Sequence, residues 1–460
     1  MPPLPPSFTD TLKGLPGYDP EAFSAVHASG ERITSVRLQP QKTTGIAGLF
    51  PQLDVTPVPW SRYGYYLSSR PSFTFDPQFH AGAYYVQEAS SMFLEEAIRQ
   101  TMDLDEPLKA LDLCAAPGGK STLIQATLHP QSLLVANEVI KSRAALLSDN
   151  ISRWGADNVV VTNNDPRDFS RIGEYFDLIV ADAPCSGSGL FRRDPEAIDE
   201  WSYDNVMLCS QRQQRILADA LPALKAGGVL IYSTCSYARE EDELIMDWLL
   251  ENFPLENIPL QLNPGWHIVE TLSPQRQAAG YRFYPDQVKG EGFFIACFRK
   301  YGEAAPHKKH RGQLSLLPPR EVARIQPWLN VSDEHMLMLH QDEVIILTPH
   351  MAEELPLLQK NLYIRKAGVK AGQLSAKDLI PDHQLALSTC IAADLPATDL
   401  ALEDALRYLR KDELQLPDIA KGWTLMRYNG MNLGWAKVLP NRVNNYYPKE
   451  LRILKAGTPE

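Results

Sequence analysis

Hydrophobic positions along the middle of the chain keep two rhythms. Short apolar runs at residues 108–113, 133–139, 159–162, 176–181 and 229–233 predict buried strands. Between them, Ala144, Leu147, Ile151 and Trp154 recur at helical spacing, and residues 206–224 form a second amphipathic stretch. Residues 240–250 predict a further helix and residues 292–298 a closing strand. Short apolar strands alternating with helices imply a parallel sheet covered on both faces, a doubly wound α/β domain over residues 71–302. At its start, Met92, Phe93, Ala97 and Ile98 share one face of a helix predicted over residues 84–100.

The flanks lose this rhythm. Residues 1–70 are rich in Pro, Tyr and Gly with short extended stretches such as residues 32–38, which reads as a small α+β domain. Residues 301–313, with Pro306, His307, Lys308, Lys309, His310 and Arg311, read as a basic linker. An intermediate module follows, so that linker and module together span residues 303–385. Residues 386–460 alternate aromatic and β-branched positions with turn Gly and Asn, which predicts a compact β domain.

Composition narrows the functional class. A chain of 460 residues exceeds what one core usually organises. It has no apolar run long enough to span a membrane, and Met-Pro-Pro-Leu-Pro-Pro is no secretory leader, so a cytoplasmic location is expected. Six cysteines without Cys-x-x-Cys spacing argue for reduced thiols and against a zinc site; no metal is expected. The net charge of −11 is unevenly spread. Residues 1–300 carry 25 Lys+Arg against 37 Asp+Glu, and residues 301–460 carry 20 against 19. Residues 360–377 hold Lys360, Arg365, Lys366, Lys370 and Lys377 without an acid, so the C-terminal third is expected to supply much of any footprint for an anionic polymer.

The candidate chemistry sits after the strands. Asp112-Leu-Cys-Ala-Ala-Pro-Gly-Gly-Lys120-Ser ends in a phosphate-loop-like tail, but Cys114 stands where that loop needs its first Gly. What remains is a Gly-rich turn after the first strand, where small residues let a cofactor lie against the backbone. Glu138 ends the second strand, placed to accept from ribose hydroxyls, and Asp165 follows the third, placed to accept from an adenine amino group. Together they suit an adenosine-type cofactor. Asp182-Ala-Pro-Cys185-Ser-Gly after the fourth strand and Ser233-Thr-Cys235-Ser after the fifth bring two thiols to one cleft. Lys120 is a candidate to lower a thiol pKa there. Two thiols and an acid beside such a cofactor fit cytosine C5 methylation. One thiolate adds to carbon 6, the other assists release, and a neighbouring carboxyl group bonds the pyrimidine N3.

Asp-Leu-Cys-Ala-Ala-Pro-Gly-Gly-Lys, Asp-Ala-Pro-Cys-Ser-Gly and Ser-Thr-Cys-Ser resemble motifs I, IV and VI of the NOL1/NOP2/Sun RNA cytosine-C5 methyltransferases. Gln87-Glu88-Ala89-Ser90-Ser91-Met92 and Glu291-Gly292-Phe293-Phe294 are similar to two further motifs of that family. The resemblance covers most of residues 80–300. It implies a Rossmann-like class I sheet and S-adenosylmethionine held by Cys114, Ala115, Ala116, Pro117, Gly118, Gly119, Lys120, Glu138, Asp165 and Asp182. It also implies Cys235 as nucleophile and Cys185 as the thiol that aids release, an order the residues alone leave open.

The element from Ser35 to Lys42 resembles the family's Arg-x-Asn-x-x-Lys RNA-contacting element but has Gln39 for Asn and Gln41 for an apolar residue. The C-terminal Gly-Trp-Thr, Gly-Trp-Ala-Lys and Asn-Tyr-Tyr-Pro-Lys stretch is similar to the PUA-like domain of the family's bacterial RsmF group. That likeness implies small-subunit (16S) ribosomal RNA, or the small subunit itself, as partner; a monomer is expected. Transfer RNA as substrate and a non-catalytic ribosome assembly factor are the alternatives. Arg192 and Arg193 are read evenly as phosphate contacts or a solvated loop, and Trp423 and Trp435 as core rather than base-stacking residues.

Overall fold

The structure, a computed structural model, describes residues 2–303, 314–375, 378–416, 419 and 421–457. Most of the expected basic linker, and Lys377, lie outside the described residues.

Five strands, β1 (Lys109–Asp112), β2 (Leu133–Asn137), β3 (Val159–Thr162), β4 (Phe176–Asp182) and β5 (Leu224–Thr234), pair in parallel in the order β3-β2-β1-β4-β5. Alternate residues face opposite layers. Ala110, Leu134 and Val180 join a core with Leu123, Leu147, Ile151 and Trp154 of helices α1 (Gly119–Thr127) and α2 (Lys141–Trp154). Leu111, Val135 and Ile179 join a second core with Ile216, Leu217 and Ala220 of α3 (Tyr203–Ala220). Met92, Phe93, Ala97 and Ile98 are fully buried in the first core as expected, but the predicted helix starts late. Tyr84–Val86 forms a strand on Thr34–Leu38, and helical structure begins only at Ser90. β-Branched and aromatic residues at 84–86 favour the strand.

The sheet is mixed rather than all parallel. Strands β6 (Val269–Leu272), β7 (Ala279–Phe283) and β8 (Phe293–Lys300) continue it antiparallel beyond β5. The short β7–β8 connection is no crossover, so only antiparallel pairing is open to them. At the other edge β9 (Ile364–Ala367), from the region expected as an intermediate module, pairs antiparallel with β3.

The N-terminal helices Pro6–Leu12 and Pro20–Ala28 bury Phe8, Leu12 and Phe23 against Phe191, Tyr237 and Tyr284. The element resembling an RNA-contacting motif is internal instead. Arg37 is buried, lies over the Trp154 ring, and donates to Gln87 Oε1 at 2.8 Å and Thr122 Oγ1 at 2.5 Å. Gln39 donates to the Trp154 carbonyl at 2.9 Å, and Lys42 to the carbonyls of Ala81 and Arg153. These bonds fasten the N-terminal sheet to α2.

Toward the C-terminus, Met336–His340, Glu343–Leu347, Val369–Leu374 and Leu379–Pro381 form a four-stranded antiparallel sheet. Ala397–Asp399, Gly422–Tyr428, Met431–Leu439 and Arg442–Asn445 form a second four-stranded sheet, in which the first strand pairs parallel with the next and the others pair antiparallel. The two sheets share a core in which Trp435 meets Trp328 edge-on and donates to the Asp382 carbonyl. Trp423 is buried there too, so both tryptophans are core residues. Two of the cations expected in an anion footprint are spent internally. Lys366 is buried against the Gly368 carbonyl and Gln384, and Lys370 pairs with Glu343 and Asp382.

Candidate active site

Strand order reverses between β1 and β4, and every candidate site residue lies on a carboxyl-end segment of β1 to β5. Such a reversal opens a crevice at the strand ends. Asn137 fixes the rim: its amide donates to the Leu113 and Asn164 carbonyls, and its oxygen accepts from Thr162 Oγ1 and Asn164 N.

The turn from Cys114 to Lys120 wraps onto α1. Gly118 has φ +116°, a left-handed conformation that favours glycine. The loop's shape is held from α2, where Arg143 donates to the Ala116 carbonyl at 2.8 Å and Asn150 to the Pro117 carbonyl at 2.7 Å. The first-turn amides of α1, without intrahelical partners, are suited to a carboxylate. Asp112 is fully buried below the turn; Oδ2 accepts from Ser121 Oγ at 2.6 Å, while Oδ1 is buried without a partner. Burial, with Asp182 and Glu138 nearby, pushes its pKa up to about 7. Burial, and then these three acids, also push the Cys114 thiol up. Glu138 is buried, with Oε1 accepting from Ile140 N at 3.0 Å and Oε2 3.6 Å from Arg143. Asp165 instead caps the short helix Pro166–Arg171 and lies 3.4 Å from Arg215. An orphaned acid oxygen, a second buried acid and a glycine turn fit a cofactor bearing amine and hydroxyl donors.

The thiols meet. Cys185 and Cys235 Sγ atoms lie 3.0 Å apart as free thiols, because Asp182 and Ser233 are paired in register on β4 and β5. Beside them Asp182 Oδ2 lies 2.8 Å from Lys120 Nζ, and Oδ1 accepts from Ser233 Oγ at 2.8 Å. Burial works against the charge of Lys120, but Asp182 and then Cys235 outweigh it and raise its pKa. The Phe293 ring lies 5.3 Å from the same ammonium.

Two acids escaped the sequence reading. Asp112 was visible only as the first letter of the turn motif. Glu241 was hidden in the run Glu240-Glu241-Asp242-Glu243, read as the start of an ordinary helix. It is fully buried and accepts from Ser186 N (2.8 Å), Ser186 Oγ (2.5 Å), Ser236 Oγ (2.6 Å) and Gln213 Nε2 (3.1 Å). Ser186 follows one thiol and Ser236 the other, so one carboxylate ties the two loops together. Deeper still, Arg282 is buried against Asp242 and Glu243. Among the described residues, no group of three or more His, Cys, Asp or Glu could hold a metal ion, and no helix is long and apolar enough to cross a membrane.

Known proteins share this organisation. Residues 99–299 match the family described as 16S rRNA methyltransferase RsmB/F, residues 4–89 the N-terminal domain of 16S rRNA methyltransferase RsmF, and residues 396–453 the methyltransferase RsmF PUA domain. A ribosomal RNA small subunit methyltransferase F from Aliivibrio fischeri (strain MJ11) is 32% identical over 416 residues, 87% of this chain and 86% of that one. One from Escherichia coli O81 (strain ED1a) is 32% identical over 416 residues, 86% of this chain and 85% of that one. A crystal structure of a methyltransferase homolog protein from Pyrococcus horikoshii, 29% identical, superposes with a TM-score of 0.50 over 65% of this chain and all of that one. The chain belongs to the RsmB/F family of RNA methyltransferases, in its RsmF branch.

Proposed function

We propose that the chain transfers the methyl group of S-adenosylmethionine to carbon 5 of a cytosine in small-subunit ribosomal RNA, through a covalent adduct on Cys235. The observation that carries this reading is the thiol pair, 3.0 Å apart beside the Lys120–Asp182 ion pair at the mouth of the cofactor turn. The Cys114–Lys120 turn, Asp112 and Glu138 hold the cofactor, with Asp165 at its adenine end. Their acceptors meet its amine and hydroxyl groups, and α1 meets its carboxylate. The bound cofactor supplies an electrophilic methyl group.

The thiols divide the work. Cys185 is held well above the ordinary thiol range, chiefly by its hydrogen bond to Cys235 and by burial, so Cys185 stays a thiol; the family resemblance gives the nucleophile's part to Cys235, whose proton passes to Asp182 as it attacks. That thiolate bonds to carbon 6 while Asp182, carrying the proton lost by Cys235 and steadied by Lys120 and Ser233, donates it to N3, which takes it up with the displaced electron pair. Carbon 5, now enamine-like, bonds to the methyl group as that group's bond to the sulfonium sulfur breaks, and N3 returns its proton to Asp182. Once Cys235 is a thioether, its hydrogen bond no longer holds the Cys185 proton, and that proton passes to solvent. Cys185 then takes the carbon-5 proton as a base, the carbon 5–carbon 6 double bond re-forms, and the sulfur–carbon 6 bond breaks to return the Cys235 thiolate.

The test is transfer of labelled methyl groups from S-adenosylmethionine to small ribosomal subunits, free small-subunit RNA and transfer RNA, followed by nucleoside analysis. Label as 5-methylcytidine in ribosomal RNA or the subunit is expected. Label in transfer RNA alone, or on another atom, overturns the proposal.

A further inference from the structure

A cavity of about 260 Å³ opens beside the thiol cleft, where the N-terminal segment meets the methyltransferase sheet. Three exposed arginines from three different loops ring it: Arg32, Arg70 and Arg193. Among the described residues none of them pairs with a carboxylate within 4 Å, and Arg70 lies over the Phe73 ring at 5.2 Å. Their convergence is built rather than accidental. Buried Arg192 donates to the Glu31 carbonyl at 2.8 Å and the Gly290 carbonyl at 3.2 Å, which pins the strand entry bearing Arg32 beside the loop bearing Arg193. This resolves the even reading of the arginine pair: Arg192 is a fastener, and Arg193 faces the cavity.

The acids in the cavity wall are already engaged. Glu88 accepts from the amides of Ser90, Ser91 and Glu291 at 2.8–2.9 Å. Glu291 lies 3.8 Å from Arg192, and its pKa is pushed up to about 7, chiefly by burial. Three guanidinium groups face two acids here, so the rim carries a local positive excess on a half of the chain with excess acid, and a local field matters more to an anion than net charge.

The cavity is also joined to the chemistry. Gly189 N donates to the Cys235 carbonyl, and Gly292 N, next to Glu291, donates to the Gly189 carbonyl. On the other side, Gln87 packs toward Gly119 of the cofactor turn.

We propose that Arg32, Arg70 and Arg193 bind phosphodiester groups of the RNA strand whose base enters the thiol cleft. The planar guanidinium forks suit phosphate oxygens, and contacts of this kind set register without reading sequence. The inference rests on the RNA-methylation reading above.

The test compares wild type, the triple variant Arg32→Gln/Arg70→Gln/Arg193→Gln and a charge-matched control, Lys13→Gln/Arg171→Gln/Arg276→Gln. Binding of a fluorescent single-stranded small-subunit RNA fragment is measured across a salt series, and methyl transfer is measured at varied RNA concentration. Each lost phosphate contact on a single strand lowers the salt slope by about 0.7, so the triple variant should lose about 2 in slope and at least about 10-fold in affinity at low salt. KM for RNA should rise by a similar factor while S-adenosylhomocysteine affinity stays within about 2-fold of wild type. The control should keep the wild-type slope. A triple variant with the control's slope and KM overturns the inference while wild-type methyl transfer leaves the functional reading standing. Displacement of RNA by inorganic phosphate at sub-millimolar concentration would reassign the site to a free anion. Absence of methyl transfer by wild type would instead strike the functional reading itself.

Discussion

Glu241 offers the sharpest perturbation of the thiol pair that leaves both thiols in place. Glu241→Ala removes four accepted hydrogen bonds at a fully buried position. The losses are unequal. The hydroxyls of Ser186 and Ser236 lie 3.3 Å apart and can pair with each other, and Gln213 Nε2 keeps the Pro184 carbonyl at 3.1 Å. Only the Ser186 amide is stranded. An orphaned buried amide costs about 1–3 kcal/mol, and the small cavity adds about 1 kcal/mol, for a total of about 3 kcal/mol. Glu241→Gln keeps an acceptor for that amide and gives up charge assistance, a cost of about 1 kcal/mol. Denaturant midpoints measure these costs. For activity, a displacement of either thiol by about 1 Å is worth about 100-fold in rate. Methyl transfer by Glu241→Ala should therefore fall about 100-fold in kcat at unchanged S-adenosylhomocysteine affinity, with Glu241→Gln within about 10-fold of wild type. A folded Glu241→Ala protein with wild-type kcat refutes the idea that this carboxylate aligns the two loops.

Other outcomes follow from the same geometry. Asp112, raised to about 7 by burial against an ordinary 3.8, holds a proton in the folded chain that the unfolded chain releases above about pH 4. The folded state binds more protons in that window, so stability falls as pH rises from about 4 to about 7, by up to about 4 kcal/mol, and Asp112→Asn should flatten this part of the stability–pH curve. Glu138→Ala should weaken S-adenosylhomocysteine binding about 10- to 100-fold by calorimetry, the worth of one or two charge-assisted bonds to ribose hydroxyls. Arg282→Ala leaves Asp242 and Glu243 buried without their cation, and should cost about 3–5 kcal/mol by denaturant unfolding.

Much of this site was legible because chemistry at strand ends leaves compact motifs. The apolar runs placed the five parallel strands, and adjacency of the fourth and fifth followed from the doubly wound pattern, so the meeting of Cys185 and Cys235 was foreseeable. Glu138 and Lys120 were legible for the same reason. Asp165 was harder, since an acid after a strand is also a good cap, and in the structure it does that work. Glu241 was illegible because its partners, Ser186 and Gln213, are distant in sequence and its neighbours are three other acids. The antiparallel strands at the sheet edges were missed for another reason. Pairing direction depends on which strand the chain returns to, which hydrophobic rhythm does not encode. The element at Arg37, Gln39 and Lys42 carried a family likeness but is internal, since each polar head finds a carbonyl, hydroxyl or amide partner across the N-terminal junction. In the cationic stretch at residues 360–377, Lys366 and Lys370 are spent internally, because summed charge does not say which cations are already paired.

The most direct test of the central claim is a denaturing gel of the enzyme incubated with S-adenosylmethionine and labelled small-subunit RNA, run for wild type, Cys185→Ala, Cys235→Ala and the double variant. The proposed mechanism gives release to Cys185 and attack to Cys235, so a stable RNA–protein adduct should accumulate in Cys185→Ala and be absent in Cys235→Ala and the double variant. An adduct that survives loss of Cys235, or methyl transfer that continues without it, would contradict the account.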